Sequence, residues 1–237
     1  MSRDIYPALT GAAAVWEQLN QVSQNLANVN TTGYKALRVP FENHMANEGI
    51  LGDSYVKLGE EELDHTTGSI VSDGVDTHFA LKGKGFFVVE GADGETLLMR
   101  SGAFQFDAER NLVNHMGERV IQSGGGYIQL DQDQTTIQVA DDGTIFSQDG
   151  DELGQFMILD SDDLTPLNGT RFRPGDMVEV TGQTGVIQGS IELSNADPFR
   201  EMTSMIQTTR LFETLQKAMH SSSELDTKLN QMTRRSS

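Results

Sequence analysis

No cysteine occurs in the 237 residues, which removes disulfides and thiol chemistry together. Aromatic side chains make up only 7% and tryptophan occurs once, as Trp16. A secreted β-sandwich adhesin or sugar-binding module would need more exposed rings on its strands than that. Basic residues are scarce, 17 against 35 acidic, for a net charge of −18. Nothing in such a chain would neutralise phosphates, so nucleic acid is excluded as a partner, as is attachment to an anionic membrane surface. Long apolar runs are missing too. Phe86-Phe87-Val88-Val89 is among the longest, far short of the ~20 residues that cross a bilayer, so no direct membrane insertion is expected. The segment before Asn30 holds Asp4, Glu17 and many amides, unlike the apolar stretch of a cleaved signal peptide.

Catalytic and ligand-binding patterns are absent as well. His44, His65, His78, His115 and His220 are scattered, without metal-ligand spacing. Gly83-Lys84-Gly85 lacks the rest of a phosphate loop and runs into a strand-like segment, so it is read as a tight bend. Asp141-Asp142-Gly143 and Asp149-Gly150-Asp151 complete no calcium loop and are read as hairpin turns. The expectation is a protein that is not an enzyme and carries no cofactor or metal.

What is present is periodicity, of two kinds. Ile5, Leu9, Ala12, Trp16, Leu19, Ser23 and Leu26 are spaced 4, 3, 4, 3, 4, 3, a heptad seam that predicts a helix starting near Asp4 with Pro7 in its first turn. Leu211, Leu215, Ala218, Ser222, Leu225, Leu229 and Met232 repeat the same spacing, with Met202, Met205, Ile206 and Phe212 upstream. Ser194, Asn195 or Asp197 could cap this second helix ahead of Pro198. A helix from Pro198 to Met232 would be roughly 50 Å long. Residues 69–192 switch to short alternating or fully apolar runs punctuated by Asp73-Gly74, Asp93-Gly94, Asp142-Gly143, Asp149-Gly150 and Asn168-Gly169, which predicts antiparallel hairpins in a sandwich or barrel-like domain. The expected fold class is α+β: long N- and C-terminal helices, paired like a coiled coil, flanking an inserted antiparallel all-β domain. The expected division is 1–35 helix, 36–68 irregular or extended connector with a short helix near Glu42 to Glu48, 69–192 β-rich domain, and 193–237 helix. Terminal heptads around a β domain rank a self-assembling structural subunit above a monomeric binding module.

The stretch Asn25 to Lys35, NLANVNTTGYK, resembles the N-terminal signature of bacterial flagellar rod and hook proteins, N-x-A-N-x-x-T-x-G-[YF]-[KR]. Three further stretches agree with that family in the same order. Thr67-Gly68-Ser69 leads into FALKGKGFFVVE; RSGAFQFDAERNLVNHMG follows from Arg100; and GSIELSNADPFREMTSMIQTTRLFE follows from Gly189. The length and Arg210-Leu211-Phe212-Glu213 look most like the proximal rod protein of that family, with a distal rod or hook-type subunit as the alternative. Departures are Leu98-Met99-Arg100 where the family has YTR, Arg110 at a family glycine, and Ser194-Asn195-Ala196 where it has SNV.

The resemblance implies a non-catalytic building block of the flagellar axle. Its partners would be copies of itself, other rod proteins and the flagellar type III export apparatus. Its place would be the basal-body rod crossing the periplasm, reached without a cleaved signal peptide. It places an assembly interface on Leu19, Asn25, Leu26, Asn28, Asn30 and Gly33 near the N-terminus, and on Met202, Met205, Ile206, Arg210, Phe212, Glu213, Leu215, Leu225 and Leu229 near the C-terminus. The amides suit such a surface because they are neutral and can be buried once hydrogen-bonded. Arg210 and Glu213 are i, i+3 neighbours placed to pair.

Overall fold

Four consecutive apolar residues predict a strand covered on both faces, and Phe86–Glu90 is that strand. In the computed structural model it runs through a nine-stranded antiparallel sheet, with Phe86 to Val89 all buried. One edge pairs with Thr96–Met99, Phe87 opposite Met99 and Val89 opposite Leu97. The other edge is shared, Arg119–Val120 at one end and Ile158–Asp160 at the other. Residues 5–39, 41–45, 54–58, 62–130, 136–167 and 170–235 are described. They divide into two compact units. Unit 1 comprises 1–27, 37–64 and 197–237; unit 2 comprises 28–36 and 65–196.

Unit 2 is built of antiparallel hairpins. Asp73-Gly74, Asp93-Gly94, Asp142-Gly143 and Asp149-Gly150 each carry their glycine at positive φ, as tight turns require; Asn168-Gly169 lies outside the described residues. Besides the large sheet, His78–Lys82 pairs with Gly185–Gln188 and Gly102–Ala103, and Ile137–Val139, Thr144–Ser147 and Glu152–Gln155 form a meander. Ile70–Ser72 pairs with Ser190–Glu192. Between the sheets lie Phe79, Phe87, Phe104 and Phe156, with ring centroids 5.0 to 6.3 Å apart, the separations aromatic pairs favour. Leu81, Leu97, Leu112, Val120, Ile128 and Ile145 complete this core.

Unit 1 contains two helices, α1 (Ile5–Ala27) and α2 (Pro198–Arg235). Asp197 caps α2, its Oδ1 accepting from the Phe199 N–H at 2.9 Å and the Arg200 N–H at 3.3 Å, so Pro198 takes the position where a missing N–H costs nothing. Unit 1 also contains strands. Leu37–Arg38 pairs with Glu62–Leu63, and Phe41–Met45 pairs with Ser54–Leu58.

The expected fold class is overturned here. Two helices flank a large β-rich region, but no coiled-coil pair forms. Leu9, Trp16, Leu211 and Leu225, all on the expected seams, are half-exposed. The side chains of α1 that are buried are Ala12, Ala14, Val15, Val22 and Asn25. On α2 the more covered of the described positions are 198, 201, 204, 205, 208, 209, 212, 215, 219 and 222, a set only partly shared with the expected seam. The reason is that α1 packs against strands Leu37–Arg38 and Ser54–Leu58 as well as against α2. Its apolar face is therefore divided, whereas a coiled coil needs both seams to meet continuously. Nor are strands confined to an insertion starting at residue 69: the short helix expected near Glu42 to Glu48 is the strand Phe41–Met45, and Ala46 to Gly49 lie outside the described residues. The side chains of Ile5, Leu229 and Met232 also lie outside them.

Arg110 is the one described non-glycine residue at positive φ, 63°. Its N–H closes a turn onto the Asp107 carbonyl at 3.1 Å. A side chain in this region costs on the order of 1 kcal/mol or more. Arg110→Gly is expected to keep or raise the urea midpoint of unfolding, while Arg110→Val lowers stability by ~1–3 kcal/mol. A midpoint that drops with glycine would show that the Arg110 side chain outweighs its backbone.

Candidate functional site

Strand Ser190–Glu192 turns Ser190 and Glu192 inward, so an acid arrives at a position that demands a partner. Two cations meet it. Lys35 Nζ donates to Glu192 Oε1 at 2.8 Å and Arg100 Nε donates to Oε2 at 2.6 Å; the side chains are 3%, 3% and 1% exposed for Lys35, Arg100 and Glu192. The Gly68 N–H donates to Oε1 at 2.9 Å. Arg100 spends its remaining donors on backbone carbonyls: Leu81 at 2.8 Å, Gly83 at 2.7 Å, and Gly85. Lys35 also reaches the Thr66 carbonyl at 2.8 Å. Every group here is hydrogen-bonded and faces opposite charge, as ions kept out of water require, although two cations share one carboxylate. The GKG bend thus presents its carbonyls to a guanidinium, the reverse of a phosphate cradle.

Gly33 docks beside this cluster. Its N–H donates to the Glu192 backbone carbonyl at 2.8 Å. At φ +69° it lies so close to Arg100 and Ser101 that a Cβ would run into their backbone. Thr32 and Ser101 hydroxyls pair at 3.1 Å, and Asn195 Oδ1 accepts from the Ala36 N–H at 2.7 Å. A cavity of about 180 Å³ adjoins the cluster, with Lys35, Arg100, Lys84, His65, Asp160 and Asp162 in its wall. Among the described residues no three metal-ligating side chains converge, and no helix is long and apolar enough to cross a membrane.

The expected interface residues fall into three settings. Asn25 is buried in unit 1 and holds the backbone of Leu37 from both sides: its Nδ2 donates to the Leu37 carbonyl at 3.1 Å and its Oδ1 accepts the Leu37 N–H at 3.0 Å. Asn28 closes a local turn, its carbonyl taking the Thr31 N–H at 3.0 Å and its Oδ1 the Thr31 hydroxyl at 3.1 Å. Gly33 is buried in unit 2, as above. Leu19, Leu26, Met205, Phe212 and Leu215 are half-buried in unit 1, with Phe212 against Trp16 at 5.7 Å between ring centroids. Asn30, Met202, Ile206, Arg210, Glu213 and Leu225 are exposed; Leu229 is outside the described side chains. Phe199, not among those expected, is the most exposed large apolar residue among the described ones, at 79%. The sequence reading also missed Lys35, Arg100 and Glu192 as a group. The available signal was Glu192 itself, an acid at the inward parity of its strand.

Burial holds the Glu201 carboxyl above its ordinary value, against hydrogen bonding from Asn25 and attraction to Arg200, and with Asp197 adding repulsion. A raised acid disfavours the folded state once it ionises, so the penalty is absent well below pH 4.5 and present above it. Glu201→Gln is expected to raise the melting temperature at pH 7 and to lose that advantage in acid. Glu192→Gln leaves two buried cations with a neutral partner and is expected to cost ~3–5 kcal/mol by urea unfolding. Lys35→Met, which leaves a balanced pair, is expected to cost less; equal costs would contradict this account of the cluster.

Three family descriptions match the chain in order. "Flagella basal body rod protein" matches residues 5–35, "Flagellar hook protein FlgE/F/G D1 domain" residues 80–147, and "Flagellar basal body rod FlgEFG protein C-terminal" residues 187–232. The chain is 31% identical to flagellar basal-body rod protein FlgF of Rhizobium meliloti over 232 residues, covering 94% of each. It is 30% identical to FlgF of Caulobacter vibrioides over 239 residues, 95% of each. It is 29% identical to FlgG of Bacillus subtilis over 262 residues, 95% of this chain and 97% of the relative.

Proposed function

Because this chain belongs to the flagellar basal-body rod protein family, we propose that it occupies the proximal, FlgF-type position in the rod and joins its neighbours through the exposed face of α2. The protein is a structural subunit of the flagellar basal-body rod and assembles with other rod components. FlgF relatives at 30 and 31% identity over nearly full length favour the proximal position.

The observation that carries the interface is the row Phe199, Met202 and Ile206, spaced 3 and 4 along one side of α2 and all exposed. Met205, Thr208 and Phe212 are the more covered residues of the same helix. An apolar row left in water on a capped helix is a surface awaiting a partner. Arg210 and Glu213 border it and would set register once screened from solvent. The half-exposed Leu9, Trp16, Leu211 and Leu225 extend the area available for burial. In this reading the subunit passes through the type III export apparatus without a cleaved signal, takes its place in the part of the rod crossing the periplasm, and performs no catalytic step.

Substituting Met202→Asp or Ile206→Asp tests the interface. Each buries a charge in an apolar contact and is expected to weaken association by ~2 kcal/mol or more, about thirtyfold. The purified variant should melt like the parent, while complemented cells swim poorly and their basal bodies stain weakly for the tagged subunit. Normal motility with normal labelling would remove this face from the interface. Rods that grow past the subunit's position in its absence would remove the proximal assignment.

A further inference from the structure

Residues 28–36 belong to unit 2, yet they take no part in its aromatic core. Their apolar anchor is separate and small: Tyr34 and Ala36 packed with Ala196, and Val29 beside them. The rest of their attachment is polar. The Gly33 N–H reaches the Glu192 carbonyl at 2.8 Å, the Asn195 N–H reaches the Tyr34 carbonyl at 3.4 Å, and the Ala36 N–H reaches Asn195 Oδ1 at 2.7 Å. Thr32 meets Ser101 at 3.1 Å, and Lys35 meets Glu192 and the Thr66 carbonyl, each at 2.8 Å.

The charge arithmetic is uneven. Without this segment, Arg100 and Glu192 remain a neutral pair, and Arg100 keeps its bonds to the Leu81, Gly83 and Gly85 carbonyls. The receiving site is therefore complete on its own. Docking Lys35 adds a second cation to one carboxylate and leaves the buried trio with an excess positive charge. Asp160 and Asp162, in the wall of the adjoining cavity, partly offset it. Docking of 28–36 is thus a marginal step laid on a finished core. Regions with few buried apolar contacts are the ones that open below the global unfolding free energy.

We infer that residues 28–36 form a clasp, which docks on and leaves the rest of unit 2 as one cooperative step while the aromatic core stays folded. Lys35 is its key, Glu192 its lock, and Gly33 the point of closest approach. The subunit accordingly has a closed and an open state that share one core. The device does not depend on which neighbours the subunit meets.

Amide hydrogen exchange on the full-length protein tests this. In the parent, the amides of Gly33, Ala36 and Asn195, each bonded across the clasp, should exchange with one common opening constant, faster than Val88 and Leu98 in the central sheet. Gly33→Ala, which places a Cβ against the Arg100–Ser101 backbone, should speed exchange at Ala36 and Asn195 at least ~tenfold and leave Val88 and Leu98 within about twofold. Lys35→Met should act in the same direction while leaving Arg100 and Glu192 paired, so the test survives if the glycine variant folds poorly. If Val88 and Leu98 accelerate by the same factor in Lys35→Met, the segment is an integral part of the core and the clasp is refuted. Unchanged exchange at Ala36 and Asn195 in both variants refutes it equally.

Discussion

A carboxylate removed from water needs opposite charge within hydrogen-bond reach, and Glu192 is met twice, by Lys35 and Arg100. The demand organises unit 2 far beyond these three side chains. Arg100 must in turn satisfy its guanidinium, and it does so on the Leu81, Gly83 and Gly85 carbonyls. That fixes the GKG bend between strands His78–Lys82 and Phe86–Glu90. Glu192 must fill its remaining acceptor sites, and the Gly68 N–H does so. Residues 33, 35, 68, 83, 85, 100 and 192, spread across the chain, become neighbours for one electrostatic reason. A buried ion cluster of this kind adds little net stability over an apolar filling of similar shape, but losing one member is costly.

The amide-rich stretch at the end of α1 uses neutral groups for a related purpose. Asn25 matches both backbone groups of Leu37 with one side chain. Asn28 is a turn residue, holding Thr31 through backbone and side chain alike. Amides can be buried this way without a counter-ion, provided donor and acceptor are both used. Neither asparagine is idle in the folded subunit, whereas the apolar Phe199, Met202 and Ile206 on α2 are left facing solvent, the face proposed above to meet neighbouring subunits.

The order of motifs, the turn dipeptides and the buried run Phe86 to Val89 were all legible in the sequence, because each rests on local chemistry. Gly at positive φ follows Asp in four of the turns, the Asp197–Pro198 start of α2 follows capping rules, and alternation marks the strands. Membership of the rod family was legible too, since four motifs in order are a property of the chain itself.

What the sequence could not determine was which faces are covered. Heptad spacing identified apolar positions on both helices, but two apolar rows say nothing of what meets them. Strands Leu37–Arg38 and Ser54–Leu58 take part of α1's face, and Leu9, Trp16, Leu211 and Leu225 stay half-exposed. Likewise Lys35, Arg100 and Glu192 read as three ordinary charges until the fold brings Lys35 and Arg100 each within 3 Å of Glu192. Local propensity acts over a few residues and is written in the chain. Charge compensation and packing act through space between residues far apart in sequence, so only the tertiary structure decides them.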